Sequence, residues 1–246
     1  DMKVINPDWL SAMLEHSQRS EVGIVGNLLI YPPDKISGAE KIQHAGVILN
    51  SGGVSDHSFK NKNVSDNNYF NLHRIIRNCS CVTGACMMFK KQIFEQVDGW
   101  DENITIAFGD IDFCLRVLEK GYRIIYTPFS RVYHFESASR GKTHPKNEED
   151  YFIKKWSKIL LTGDPFYNKN LSLANDSYLV ALDPRETPQL TVLLEIYHQR
   201  LDLQKIYNIV DDDLKNLIGW ASKHGVHESP SLYPYLSWYC NYEKIN

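Results

Sequence analysis

Hydrophobic positions fall into two rhythms along the chain, one helical and one extended, and the switches between them predict the elements. A strand-like KVI follows Met2, and then Trp9, Leu10, Met13 and Leu14 recur at helical spacing as far as His16. Asn6 reads as the N-cap of that helix, with Pro7 at its first position. Val22 to Tyr31 (VGIVGNLLIY) is a β-rich run ended by Pro32-Pro33, and Gln43 to Asn50 (QHAGVILN) is a second one ended by Ser51-Gly52-Gly53. The stretch from Ser55 to Tyr69 is polar and without period, so a mobile surface loop is expected there. Cys81 to Phe89 (CVTGACMMF) reads as a buried strand containing one glycine, a sign that something comes close to the backbone. KQIFEQV then reads as a short helix stopped at Asp98-Gly99. The clearest helix runs from Asp110 to Lys120, with Ile111, Cys114, Leu115 and Leu118 on one stripe and Gly121 just past its end. The strand YRIIYTP follows.

Beyond His134 the pattern changes. ESASRGKTHPKNEED is polar and expected to be flexible, Tyr151 to Leu161 is amphipathic around Trp156, and GDPFYNKNLS carries the punctuation of an ordered loop. Two further helices are predicted, Gln189 to Ile209 and Leu214 to His224. The organisation expected from this is one α/β domain over 1–174, a linker over 175–188, and a helical extension or the start of a further domain over 189–246. No internal repeat is visible.

Composition narrows the function classes. The chain has 246 residues, 43% hydrophobic and 23% charged, which is an ordinary globular balance with room for one large domain or two modest ones. Lys+Arg 27 against Asp+Glu 30 leaves a formal net charge of -3, so no basic field gathers nucleic acid, and no nucleic-acid partner is expected. No apolar run approaches the ~20 residues of a membrane span. The opening DMKVINPDWL lacks the charged and apolar regions of a signal peptide. Five cysteines, an odd number, need no disulfide framework, and a reducing cytoplasm is the simplest expectation. Cys79, Cys81 and Cys86 have no partners at zinc spacing and read as small buried residues.

Three places carry candidate chemistry. Asp110 and Asp112 stand two positions apart on one helix, pointing about 200° apart, so their roles should differ. Asp112 lies four residues before Arg116, the spacing of a structural ion pair worth at most ~0.5 kcal/mol if exposed. Asp110 has no such partner: it is either an N-cap, which the local sequence favours, or a base projecting into a cleft beside Gly109. His134 ends an apolar strand, where an imidazole can bind a divalent metal or simply be a hydrogen-bonded surface residue. Asp1 alone says little, and Asp211-Asp212-Asp213 is explained by the positive end of the following helix.

Six segments, taken in order, resemble one family: DMKVINPDWL, VGIVGNLLIYP, KIQHAGVIL, CVTGACMMFKKQIFEQVDGWDEN, AFGDIDFCLRVLEKGYRIIYTPFSRVYHFESASRG and DPFYNKNLS. They are similar to the family 2 glycosyltransferases of GT-A fold, especially the bacterial enzymes that build O-antigen, rhamnan and similar surface polysaccharides. The resemblance spans roughly Asp1 to Ser172. It implies a GT-A α/β sheet flanked by helices and an inverting, metal-dependent transfer of sugar from a nucleotide-diphosphate donor of UDP or dTDP type to a glycan or lipid-linked glycan acceptor.

By position, the resemblance assigns Asp1 to the last acid of the DxD-type motif and His134 to the metal shell, with Mn2+ or Mg2+ as the ion. It assigns Asp110 to the catalytic base, against the local preference for a cap. Thr83, Gly84 and Ala85 match a strand beside the sugar and acceptor, and Trp100, Asp101 and Glu102 match the loop before the base. Gly109 departs from a glutamate common in the wider family. The strands and base pocket that precede the DxD motif in a GT-A fold have no counterpart, so an N-terminally incomplete domain is expected, with further domains in the same polypeptide. The implied setting is the cytoplasm, with room for peripheral contact at the inner face of the membrane. The rival from another class is a non-catalytic carbohydrate-binding or assembly module. Its 14 Tyr and 5 Trp would suit glycan, but Trp9, Trp156 and Trp220 fall on apolar helix faces and suit a core equally well.

Overall fold

The computed structural model describes residues 1–33, 36–51, 54–135, 145–168, 170–173 and 178–179. The expected polar segment over 136–144, nearly all of the linker over 175–188, Asp211-Asp212-Asp213 and both C-terminal helices lie outside them. The chain divides into two compact units, one of residues 1–48 and 57–152 and one of 49–56 together with the described residues from 153 onward.

The first unit is built on a six-stranded mixed sheet. Its centre is the parallel pair β2 (Val22–Ile30) and β8 (Arg123–His134). Every residue of β2 is buried, as expected of a strand covered on both faces, which is why its sequence reads as one apolar run. Each central strand is long enough to take two different neighbours along its other edge. The first half of β2 pairs with β7 (Met87–Phe89) and its end with β3 (Ile42–His44). The start of β8 pairs with β6 (Arg77–Asn78) and its end with β1 (Met2–Val4), which sets Met2 opposite His134. Helices α1 (Trp9–Ser17), α2 (Lys91–Gln96) and α3 (Gly109–Glu119), the 3-10 segment Tyr69–Arg74 and the first turns of α4 (Lys146–Thr162) belong to this unit. Met13, Val22, Val25 and Ile125 form one core cluster, with Trp9, Cys86 and Met88 packed on it. This is the mixed α/β arrangement that the sequence implies.

The helix over 109–119 and the stop at Asp98-Gly99, both with positive φ, follow the sequence reading. Five other expectations change. Asn6 does not cap α1. The β2–β8 register shifts where Asn27–Leu28 face Thr127–Arg131, and Asn6 serves that irregularity: its Nδ2 donates to the Phe129 carbonyl at 2.9 Å and its Oδ1 accepts from the Arg131 amide at 2.8 Å. Leu10 and Leu14 of α1 are exposed, whereas His16 and Ser17 are buried with Met13. The run from Gln43 to Asn50 breaks into β3 and β4 (Val47–Leu49), because Gly46 between them has φ +96, open to glycine.

The stretch from Ser55 opens as β5 (Ser55–His57), paired with β4, and is held rather than mobile: Phe59 is 1% exposed and Ser58 donates its amide to Gly46 at 2.8 Å. The single strand expected over Cys81 to Phe89 is one only at β7. Before it, Cys81 and Val82 dock on α3, the Cys81 thiol meeting the Ile111 carbonyl at 3.8 Å and the Cys114 thiol meeting the Val82 carbonyl at 3.6 Å, and the chain then turns at Gly84-Ala85. Cys79, Cys81 and Cys114 are buried free thiols and Cys86 is partly buried.

In the second unit, Leu49 donates its amide to Asp164 Oδ2 at 2.9 Å, and Asn50 Nδ2 donates to the Leu160 carbonyl. Its DPFYNKNLS loop is ordered by Asp164 Oδ1, which accepts from the Phe166 amide at 2.8 Å, and by Tyr167, whose hydroxyl donates to Ser172 at 2.8 Å. Among the described residues no helix is long and apolar enough to cross a membrane.

Candidate active site

The site lies in the first unit, where α3 begins. Phe108 stands at the cap position in the left-handed region, φ 62, so the chain enters the helix through a conformation that costs a non-glycine residue about 1–3 kcal/mol. Asp110 follows in the first turn. It is half-buried, and its carboxylate is oriented from two sides: Gly84 donates its amide to Oδ2 at 2.7 Å, and Ile111 donates to Oδ1 at 2.9 Å. A Cβ on Gly84 would lie 3.1 Å from the Asp110 Cβ, so the glycine in the 81–89 segment is there because Asp110 comes close. Asp110 is therefore not the cap of α3.

Asp112, two residues on, points the other way. It is fully buried and accepts from Arg116 Nε at 2.8 Å. The two carboxylates thus do separate into one directed at the turn that holds Gly84 and one locked in an ion pair.

The other sequence-derived residues divide. Thr83 is buried, with Oγ1 accepting from the Ala85 amide at 3.3 Å, so its hydroxyl shapes the turn that presents the Gly84 amide. Trp100 packs on Phe113 at 4.7 Å between ring centroids yet keeps 45% of its surface exposed, leaving a face available. Asp101 is engaged by its own loop and by α4, accepting from the Asn103 amide at 3.0 Å and from the Tyr151 hydroxyl at 2.9 Å. Glu102 is exposed.

Asp1 and His134 are brought together by the β1–β8 register, with Asp1 Oδ2 3.5 Å from His134 Nε2. The other imidazole nitrogen, Nδ1, donates to Gln43 Oε1 at 2.7 Å, which holds the ring with Nε2 directed at the carboxylate. One carboxylate oxygen and one imidazole nitrogen, in its neutral form, would make a donor pair that fits a divalent cation sharing its remaining positions with phosphate and water. Among the described residues no group of three or more His, Cys, Asp or Glu could hold a metal by itself.

Gln43 and His44, adjacent on β3, were missed by sequence reasoning, and they tie the two halves of the site together. Gln43 orients His134, while His44 Nε2 accepts from the Gly46 amide at 3.2 Å and from the Thr83 amide at 3.4 Å. With Nε2 accepting, His44 carries its proton on Nδ1 and donates it to His57 Nδ1 at 3.0 Å. Burial, then the nearby His57 and Arg77, hold the His44 pKa well below 6.5, and burial lowers His16 and His73 as well.

The folded chain therefore resists a proton that the unfolded chain accepts near pH 6.5, so stability is complete above that pH and lost as the pH falls below it. Once the unfolded histidine is protonated, His44 alone should cost about 1 kcal/mol per pH unit. Urea midpoints between pH 8 and pH 5.5 check this. A midpoint that stays level across that range contradicts a neutral, buried His44.

Glu148, at the start of α4, was also missed. Its buried carboxylate accepts from the Thr105 amide (3.2 Å) and hydroxyl (2.8 Å), the Ile106 amide (2.9 Å) and the Ala107 amide (2.9 Å). Burial alone would raise its pKa; the hydrogen bonds from Ala107, Ile106 and Thr105 outweigh that and bring it to about 2.

Comparison with known proteins gives this site a context. Residues 4–162 match the model described as glycosyl transferase family group 2. An uncharacterized protein, y4gI, of Sinorhizobium fredii is 40% identical over 189 residues, covering 74% of this chain and 20% of that protein. The O-antigen biosynthesis protein RfbC of Myxococcus xanthus is 32% identical over 198 residues, covering 78% of this chain and 15% of that protein. An N-acetylglucosaminyl-diphospho-decaprenol L-rhamnosyltransferase of Mycobacterium tuberculosis is 30% identical over 61 residues, 25% of this chain and 20% of that protein. The chain spans a fifth or less of the length of these relatives.

Proposed function

This chain belongs to glycosyl transferase family group 2, and from that premise we propose that its first unit catalyses inverting sugar transfer from a nucleotide diphosphate, of UDP or dTDP type, to a hydroxyl of a growing surface glycan. The observation that carries the reading is Asp110, a carboxylate fixed by the Gly84 amide and, among the described residues, not paired with a cation. In the reaction, an acceptor hydroxyl gives its proton to Asp110 as its oxygen bonds to the anomeric carbon. The bond from that carbon to the diphosphate oxygen breaks on the opposite face, and its electron pair leaves with the nucleotide diphosphate. The glycan class is supported by the relative named for O-antigen biosynthesis and the one named as a rhamnosyltransferase.

Asp1 and His134 would hold Mn2+ or Mg2+, which when bound neutralises charge growing on the leaving diphosphate. Gln43 holds the His134 ring with Nε2 directed at Asp1, and Trp100 offers its exposed face to a sugar ring. The deciding experiment is transfer by the natural polypeptide, wild type against Asp110→Asn, with a panel of nucleotide sugars and a glycan acceptor. His134→Ala is expected to raise the Mn2+ concentration for half-maximal transfer about tenfold or more and to weaken Mn2+ binding by calorimetry, following the effect of losing an orienting or ligating group. An unchanged titration in both would remove His134 from the metal site.

A further inference from the structure

We propose that Glu148 is the positioning residue for Asp110, acting through the loop that delivers the chain into α3. Three consecutive amides, Thr105 to Ala107, converge on its carboxylate, and the Thr105 hydroxyl adds a fourth hydrogen bond. The next residue is Phe108, in its left-handed conformation, and Asp110 lies two further on. Such a conformation persists only where the surroundings over-determine it. The same face of α4 supplies the surroundings: Phe152, one turn beyond Glu148, stacks on Phe108 with ring centroids 5.1 Å apart and an interplanar angle of 26°, and Tyr151 anchors Asp101 at the far end of the loop. The loop from Asp101 to Phe108 is thus held at its start, middle and end by residues on the first turns of α4.

A carboxylate is the group this job requires. Its two oxygens are acceptors only, so both can be aimed at amides that run in one direction, whereas an amide side chain would turn an NH2 toward at least one of them. Among the described residues the Thr105 to Ala107 amides have no helix or sheet partners, and Glu148 stands in the first turn of α4, where a negative charge is favoured. Lengths of 2.9 Å for Ile106 and Ala107 are those of well-formed N–H···O hydrogen bonds. If the clamp loosens, Phe108 can relax to ordinary backbone, the first turn of α3 rotates, and Asp110 withdraws from the Gly84 amide. The loss then falls on turnover, since misplacement of a reacting group by about 1 Å costs on the order of 100-fold.

This inference rests on Asp110 being the base, and the experiment separates the two. In the natural polypeptide, Glu148→Gln should lower kcat ~10- to ~100-fold with KM for the nucleotide sugar within about twofold. It should speed amide exchange at Ile106, Ala107 and Gly84, the last being a site it does not touch. Glu148→Asp, which keeps the charge and both acceptors on a shorter arm, should recover part of kcat. Should Glu148→Gln not fold, Thr105→Val decides: it removes one hydroxyl donor from an exposed position and should cut kcat about threefold, the consequence of weakening one bond in four, at an unchanged melting temperature. A folded Glu148→Gln, or failing that a Thr105→Val, with wild-type kcat beside a silent Asp110→Asn overturns the positioning role and leaves the function standing. Full transfer by Asp110→Asn overturns both.

Discussion

Asp110→Asn in the natural polypeptide should depress sugar transfer by ~10²–10⁴-fold, the contribution of a positioned general base, while changing stability by at most about 1 kcal/mol. The asymmetry follows from the contacts. Asparagine has the same shape, and its carbonyl oxygen can still accept from the Gly84 amide that approaches Oδ2 at 2.7 Å. Only the bond from the Ile111 amide to the other oxygen is put at risk, and it sits in a half-buried first turn where water can replace it. What asparagine cannot do is take up the acceptor proton. Donor binding and the melting temperature should therefore stay close to wild type while product formation nearly stops. Retained transfer would make Asp110 a structural residue whose task is to fasten α3 to the Gly84-Ala85 turn.

How much of this could be read beforehand depends on how local each signal was. The α3 helix was legible because its apolar stripe, its terminal Gly121 and the Asp112–Arg116 spacing all lie within twelve residues. The β2 strand was legible because a centrally buried strand needs apolar side chains on both faces. The run from Gln43 to Asn50 reads as one strand because composition does not reveal that Gly46 turns the chain. Asn6 was misread as a cap because the irregularity it serves lies over 120 residues away in β8, and an asparagine can satisfy either demand.

The site shows the same division. Asp110 could be singled out locally but not assigned, since a cap and a base share the same sequence position. Asp1 and His134 meet through the register of β1 with the end of β8, strands far apart in the sequence, so only the family resemblance suggests them together. Glu148 and His44 were hidden for a stronger reason. Glu148 sits in NEED, four polar residues that read as a solvated helix start, and its partners are 41 to 43 residues distant. His44 lies in an apolar run, and a histidine there could have been flagged as a buried polar group in need of partners.

Asp112→Asn should destabilise the fold by roughly 3 kcal/mol, far above the ~0.5 kcal/mol that the i, i+4 spacing suggests for an exposed pair. The spacing was right and the environment differs: Asp112 is fully buried, and the Arg116 side chain keeps only 16% exposure. Neutralising the acid would leave a guanidinium in a largely dry site, still donating through Nη1 to the Val97 carbonyl but with no charge to balance it. Breaking one member of such a pair costs more than the pair itself contributes, because the surviving ion keeps its desolvation penalty. The double variant Asp112→Asn/Arg116→Met should therefore be more stable than Asp112→Asn alone, since it removes the stranded cation, and the cycle of single and double variants measures that coupling. Urea denaturation supplies the four stabilities, and transfer assayed per folded molecule should stay near wild type throughout. A single-variant loss no larger than 0.5 kcal/mol would mean that the pair is solvated. Abolished transfer at undiminished stability would mean that Asp112, and not Asp110, meets the acceptor.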